Sequence, residues 1–256
     1  INLRIYYKTR NYLDYAMDML YPENRICCFC GVDIRAGTGA RGICLNCYSR
    51  WLKERQINNP CPVCGFFKGE GNCAGPCSTG LGSLECIWAA APYTGFYRQI
   101  VKEFKYNGRR ELAEPLGFLM AEALLASKDK TSRPLLVPVP LHKSKEKERG
   151  FNQSLLLAQW LGSHLGLKVE EILMRSRPGR VQAGLNITER RQNTEQVFKL
   201  KPEVKLKPGQ PVMLVDDVVT TGATLLSCAR AIREKSDSKI TALCFAAGCR
   251  ENIKKR

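Results

Sequence analysis

Eight cysteines in regularly spaced pairs constrain the fold of this chain more than any other feature. Two Cys-x-x-Cys pairs are separated by thirteen residues, and a third pair is followed after eight residues by a Cys-x-x-x-Cys pair. Each such turn brings two thiolates to one ion, and four thiolates suit tetrahedral Zn²⁺ with no open position. The spacing therefore predicts two structural zinc sites. The predicted ligands are Cys27, Cys30, Cys44 and Cys47 in the first module and Cys61, Cys64, Cys73 and Cys77 in the second.

Other interpretations of the thirteen cysteines stay open from the sequence. Disulfides require an oxidising compartment, whereas the first twenty residues carry acids and have no apolar core of a secretory signal. We therefore expect a reducing, cytoplasmic location. An iron–sulfur cluster, a single occupied site and interleaved pairing of the four cysteine pairs also fit the spacing. Cys28 and Cys86 are outside the pattern, and we expect them to be buried free thiols.

Composition limits the class of protein. With 44% hydrophobic and 25% charged residues the chain is typical of a globular protein, which excludes collagen-like and disordered classes. No apolar run approaches the roughly 20 residues of a membrane helix, so we expect no membrane insertion. The net charge is +16, of which +13 falls after residue 86. This surplus favours anionic partners, either phosphates or nucleic acid, without distinguishing between them.

Periodicity divides the chain into three parts. Apolar residues at helical spacing predict an amphipathic N-terminal helix within residues 1–22, and residues 23–86 form the cysteine-rich part. From residue 87 to 256, predicted strands and helices alternate, which indicates an α/β domain with a parallel sheet. The predicted strands are 84–93, 135–139, 168–173, 211–215 and 239–247, and the predicted helices are 96–104, 112–125, 151–165 and 223–235.

One strand–loop–helix segment carries the most chemical information. The apolar run 211–215 leads into Asp216 and Asp217, at the strand end where open α/β sheets bind ligands. The small residues that follow begin a helix, so backbone amides, threonine hydroxyls and the helix N-terminus can all meet one phosphate. Paired acids beside such a loop suit sugar hydroxyls or magnesium-linked groups. This interpretation requires that the two acids face a cleft and are not buried in an ion pair.

The segment DDVVTTGAT (216–224) resembles the phosphoribosyl pyrophosphate (PRPP) motif of type I phosphoribosyltransferases. The resemblance implies that Asp216 and Asp217 hold the ribose 2′- and 3′-hydroxyls, with Mg²⁺ bound alongside PRPP. It also implies a phosphate loop that wraps the 5-phosphate. The loop residues are Thr220, Thr221, Gly222, Ala223 and Thr224.

Further segments resemble the ComF family of competence-associated proteins. They are VPVPLH (137–142), Arg149-Gly-Phe-Asn-Gln153, Phe104-Lys-Tyr-Asn-Gly108, the cysteine-rich N-terminus and the series from Gln182 to Phe198. The resemblance implies a double zinc ribbon followed by a type I phosphoribosyltransferase-like domain. For some members it also implies a role in the uptake of transforming DNA.

In such a transferase the protein neutralises departing pyrophosphate and excludes water. The resemblance places a pyrophosphate loop at 138–142, and we expect Arg149 and Lys105 to face pyrophosphate from two sides. The stretch 175–198 would be a mobile hood with Arg190 as its cation. His142 and His164 are expected to be ordinary polar residues, and the sequence shows no recognisable acceptor pocket.

Three hypotheses follow. The first is a PRPP- and magnesium-dependent transferase with an unknown acceptor. The second is a non-catalytic DNA-uptake factor that binds single-stranded DNA through its basic domain and zinc module. The third is a zinc-clip adaptor, in which the first 86 residues dock on a helicase or channel.

Overall fold

The computed structural model describes residues 26–34, 39–67, 73, 75–78, 80–127, 133–175 and 197–249. The predicted N-terminal helix, Arg190 and most of the predicted hood lie outside these residues. In chain order the elements are β1 (Gly39–Ala40), β2 (Ile43–Cys44), α1 (Leu45–Asn58), β3 (Cys86–Pro92), α2 (Gly95–Tyr106), α3 (Ala113–Leu125), β4 (Leu135–Pro138), α4 (Lys143–Arg149), α5 (Gln153–Leu165), β5 (Leu173–Arg175), β6 (Phe198–Leu200), β7 (Val212–Val219), α6 (Ala223–Arg233) and β8 (Ile240–Ala247).

A four-stranded parallel sheet forms the centre of the molecule, in the order β3-β8-β7-β4. Every residue of β8 is buried, as are Val212–Val215 of β7, because the two central strands are covered on both faces. Together with the two cysteine clusters, this sheet confirms the predicted α/β class. The domain boundaries at residues 22 and 86 stay predictions.

Helices and a small antiparallel strand pair cover the two faces of the sheet. One face carries α2, α3 and α5, with Tyr97, Phe104 and Leu119 among the buried residues of their shared core. The other face carries α6 and the antiparallel pair of β5 and β6, with Leu225 and Ile232 in a second core. Each core also includes cysteines of the predicted metal sites, Cys27 and Cys47 in the first and Cys61 and Cys64 in the second. The two cysteine modules therefore pack on opposite faces.

Two predicted strands differ from the structure. The strand predicted at 211–215 continues to Val219, because β8 keeps pairing with it beyond the two acids, Asp216 opposite Cys244 and Val219 opposite Ala247. The strand predicted at 168–173 is instead a single bridge between Val169 and Leu136, followed by β5. Its short, mixed apolar pattern gave no signal that its last residue would pair with β6. Within the described residues, we find no helix with the length and apolar character to cross a bilayer.

Candidate functional site

The two cysteine modules share the same local turn. In the first, Gly31 N–H donates to the Cys27 carbonyl and Cys27 N–H donates to the Val32 carbonyl, both at 2.8 Å. In the second, Gly65 N–H donates to the Cys61 carbonyl and Cys61 N–H donates to the Phe66 carbonyl, again both at 2.8 Å. Gly31 and Gly65 have positive φ values of 73° and 69°. A turn that brings the chain back over the cysteine sulfur atoms requires this conformation. The modules are two copies of one local structure.

The sulfur atoms of each module fit one tetrahedral metal ion. Within each group of four cysteines the Sγ atoms all lie within 4.8 Å of one another. The Cys30–Cys44 Sγ distance is 3.7 Å, and the Cys61–Cys77 distance is 3.9 Å. Zinc–sulfur bonds of about 2.3 Å in a tetrahedron give sulfur separations of about 3.8 Å. Cysteines adjacent in sequence order therefore share a site, and interleaved pairing is excluded.

The first cysteine of each module has a lowered pKa. Burial opposes ionisation of Cys27, but backbone donors, Cys44 N–H first among them, outweigh it and lower the pKa to about 7. In Cys61 burial is likewise outweighed, by the backbone N–H groups of Cys64 and Val63, and the pKa is lowered to about 7. A lowered pKa favours the thiolate, which is the form of cysteine that binds a metal ion.

At the carboxyl end of the sheet, Lys105 joins the two aspartates of β7. Its Nζ lies 2.8 Å from Asp217 Oδ1. Burial lowers the pKa of Lys105, but the Asp217 carboxylate outweighs this effect, so the pKa is raised. Asp217 is 6% exposed, which makes this a buried ion pair. Asp217 therefore does not meet the requirement that both acids lie unpaired in a cleft.

Asp216 has a different environment, provided by the start of α5. Its Oδ1 accepts hydrogen bonds from Ser154 Oγ at 2.8 Å and from Asp217 N–H at 2.9 Å. Ser154 is held in place because Asn152 caps α5 and accepts a hydrogen bond from the Ser154 N–H. Burial, followed by the charge of Asp217, raises the pKa of Asp216 to about 7. This raised pKa favours the protonated form of Asp216 compared with an ordinary carboxyl group.

The predicted phosphate loop begins directly after β7 and leads into α6. Thr220, Thr221, Ala223 and Thr224 are exposed, whereas Gly222 is buried with φ 79°. The Ala223 N–H donates to Thr221 Oγ1 at 3.4 Å. A Cβ at Gly222 would come within 3.0 Å of Pro76 Cγ, so the second cysteine module closely borders the loop.

Arg149 contacts Gln153 and Tyr106. It donates to Gln153 Oε1 at 3.1 Å, and its guanidinium carbon lies 4.8 Å from the centre of the Tyr106 ring. Arg149 ends α4, a helix absent from our sequence prediction, whose N-cap is His142. His142 thus has the ordinary polar role expected of it. Among the described residues, Lys105, Asp216 and Asp217 lie together. Arg149 instead contacts Tyr106, the residue that follows Lys105 in α2.

Sequence reasoning missed three residues of this neighbourhood. Ser154 follows the quoted Arg149–Gln153 segment directly, and the N-cap pattern at Asn152 was the signal that it begins a helix. Pro76 and Tyr106 lie within the quoted cysteine and Phe104–Gly108 segments. No local pattern shows that Pro76 meets Gly222, since the two residues are far apart in sequence.

Proteins similar to this chain have names that refer to DNA utilization or to competence. No protein-family profile matches the chain. The chain is 30% identical over 209 residues to the DNA utilization protein YhgH of Salmonella typhi, covering 80% of this chain and 89% of that protein. It is 29% identical over 209 residues to competence protein F of Haemophilus influenzae, covering 75% of this chain and 85% of that protein. It is 27% identical over 223 residues to competence protein ComFC of Bacillus subtilis (strain 168), covering 86% of this chain and 82% of that protein.

Proposed function

The chain belongs to the ComF family, and we propose on that premise that it binds PRPP with Mg²⁺ and acts as a phosphoribosyltransferase in DNA uptake. The observation that carries this proposal is the carboxyl end of β7. There two acids, one lysine and an exposed threonine loop lie together where parallel sheets bind ligands. The names of the relatives, which refer to DNA utilization and competence, supply the cellular context.

Each part of the site has a role in this proposal. Asp216 and Asp217 accept hydrogen bonds from the ribose hydroxyls, and residues 220–224 donate to the 5-phosphate. Mg²⁺, when bound with pyrophosphate, neutralises part of the leaving-group charge. Arg149 adds a cation on the side of α4, and Arg190, outside the described residues, adds another in the hood.

Lys105 holds Asp217 in a buried ion pair, which does not meet the condition of unpaired acids, so the mechanism requires that Lys105 leaves Asp217 when the ligand binds. In the structure it neutralises Asp217, which would otherwise be a buried, uncompensated charge. We propose that Lys105 leaves Asp217 for pyrophosphate when PRPP binds, so that ribose hydroxyls replace it at the carboxylate. Changing Lys105→Met should then weaken PRPP binding about tenfold without weakening ribose 5-phosphate binding, because only PRPP carries pyrophosphate. Equal losses for both ligands would contradict the exchange.

The central test is calorimetry with PRPP and Mg²⁺. The Asp216→Asn, Asp217→Asn double variant keeps side-chain size and should bind at least about 100-fold more weakly, because two charge-assisted acceptors are lost. Since Lys105 would be left unpaired, the same double change is also made together with Lys105→Met. Glu170→Gln, at a surface ion pair with Lys168, is the matched control. Binding heats equal to wild type in both acid-free variants would refute the proposed site.

A second candidate function is non-catalytic binding of single-stranded DNA. It is favoured by the +13 charge after residue 86 and by the exposed lysines of α4, Lys143, Lys145 and Lys147. Phosphate contacts release counterions, so DNA affinity should fall steeply as salt rises. Replacing the three lysines by glutamine should reduce that slope while PRPP binding stays unchanged. An affinity that does not depend on salt would exclude this candidate.

A further inference from the structure

We infer that the second cysteine module holds the phosphate loop in its binding conformation, with Pro76 and Phe66 as positioning residues. The inference rests on the proposed function, because it concerns the loop that would receive the 5-phosphate. It goes further in assigning a task to one metal cluster and not to the other.

The first contact is made at Gly222, in the middle of the loop. Pro76 lies between Cys73 and Cys77, in the 3-10 turn Pro76–Ser78, and is buried. Its ring lies directly against Gly222, where an added Cβ would be 3.0 Å from Pro76 Cγ and 3.2 Å from Pro76 Cβ. Gly222 has positive φ and precedes the first residue of α6. The position of Pro76 thus limits where the backbone can turn from β7 into α6.

The second contact is made at the N-terminal end of the loop. The Phe66 ring packs on Gly248, where an added Cβ would be 2.7 Å from Phe66 Cε1. Gly248 in turn donates to the carbonyl of Val219, the last residue of β7, at 3.0 Å. The Phe67 N–H donates to the Gly248 carbonyl at 3.3 Å. The strand end before Thr220 is therefore fixed by the same module that fixes Gly222.

The cluster itself sets the positions of both contacts. An added Cβ at Gly75 would lie 2.7 Å from Cys64 Sγ and 2.5 Å from the Phe66 ring, so the segment before Pro76 packs against a ligand and against Phe66. The Gly75 N–H also donates to Cys73 Sγ at 3.3 Å. A metal held by Cys61, Cys64, Cys73 and Cys77 fixes the spacing of these segments. Without it, Pro76 and Phe66 would no longer be held together.

The first module makes its contacts elsewhere. Trp51 Nε1 and Arg55 donate to carbonyls of β3, and the Cys28 carbonyl accepts a hydrogen bond from Arg109. These contacts join it to β3 and to the segment after α2. The first module is therefore the internal control for changes that are made in the second module. Coupling between two sites is reciprocal, so a ligand on the loop should also strengthen metal binding at the second cluster.

The test compares two ligands on wild type, Pro76→Ala and a control. Ribose 5-phosphate requires the phosphate loop, whereas pyrophosphate with Mg²⁺ does not. The control is Val63→Ala, in the same module but with a side chain 45% exposed. We expect Pro76→Ala to weaken ribose 5-phosphate about tenfold with pyrophosphate unchanged, and Val63→Ala to change neither. A second measurement follows zinc loss to a chelator, which ribose 5-phosphate should slow for one of the two ions in wild type but not in Pro76→Ala.

The outcomes separate this inference from the proposed function. If wild type binds ribose 5-phosphate and Pro76→Ala binds it equally well, the positioning role is overturned and the proposed function stands. If Pro76→Ala loses both ligands together, the effect is general unfolding and the inference is again overturned. If wild type binds neither ligand, the proposed function fails and the inference fails with it.

Discussion

The two cysteine modules have the same turn but are attached to the sheet in different ways. The first is attached through side chains, since Trp51 and Arg55 of α1 reach carbonyls of β3 at 2.9 and 2.6 Å. The second is attached through its backbone, since the Ile87 N–H donates to the Val63 carbonyl at 2.9 Å. The same local structure can therefore cover the sheet in the first module and hold the loop of residues 220–224 in position in the second.

The largest expected difference between the modules comes from replacing one predicted zinc ligand in each, Cys61→Ser in the second and Cys27→Ser in the first. Each should remove one zinc ion and several kcal/mol of stability, because structural zinc supplies much of the folding free energy of such modules. Only Cys61→Ser should also abolish ribose 5-phosphate binding. Zinc content and calorimetry on the purified variants measure both quantities. If Cys27→Ser lost the ligand as completely, the two modules would not differ as described.

The turn glycines offer a matched pair with a smaller effect. An added Cβ at Gly31 meets nothing within 4 Å, whereas at Gly65 it would lie 2.9 Å from the Ile87 carbonyl oxygen and 3.0 Å from the Ala89 nitrogen. Gly31→Ala should cost roughly 1 kcal/mol for its positive φ. Gly65→Ala should cost about 3 kcal/mol or more, because the strand backbone cannot yield. Denaturant unfolding compares the two, and equal costs would show that the second module is not tightly attached to β3.

The dependence of stability on pH tests the raised pKa of Asp216, which lies next to the loop of residues 220–224. The pKa of Asp216 is about 7 in the folded chain and lies above its ordinary value of 3.8. The stabilisation from its bound proton is complete below pH 3.8 and is lost as pH rises through 7. Asp216→Asn should therefore raise the free energy of unfolding at pH 8 by about 2 kcal/mol, and this gain should shrink as pH falls to 4. A gain that is independent of pH would contradict the raised pKa.

The smallest effect concerns the side-chain attachment of the first module. Burial lowers the pKa of Arg55, yet its Nη1 donates to the Ala89 carbonyl at 2.6 Å. Arg55→Met should cost about 1.5 kcal/mol, as expected for one charge-assisted hydrogen bond. Lys53→Met, on the exposed side of the same helix, should change stability by less than about 0.5 kcal/mol. Thermal unfolding of both variants with zinc bound is the measurement, and equal shifts would indicate that Arg55 contributes nothing specific.

The shared cores bear on the adaptor hypothesis. Trp51 belongs to the core on one face of the sheet, and Phe66 and Phe67 belong to the core on the other. A fragment of the first 86 residues would leave these aromatic rings uncovered. A partner of the zinc modules is therefore best sought with the full chain.

By itself the sequence determined which eight cysteines are candidate metal ligands, where the central strands lie and that a loop of small residues leads from β7 into a helix. These features depend on local spacing and periodicity, as in the Cys61–Cys64 turn and the run 212–215. Only the tertiary structure decided that Lys105 pairs with Asp217, that Ser154 donates to Asp216 and that Pro76 packs on Gly222. Each of these contacts joins residues 62 or more positions apart, where no sequence period reaches, because the order of strands in the sheet decides which segments meet.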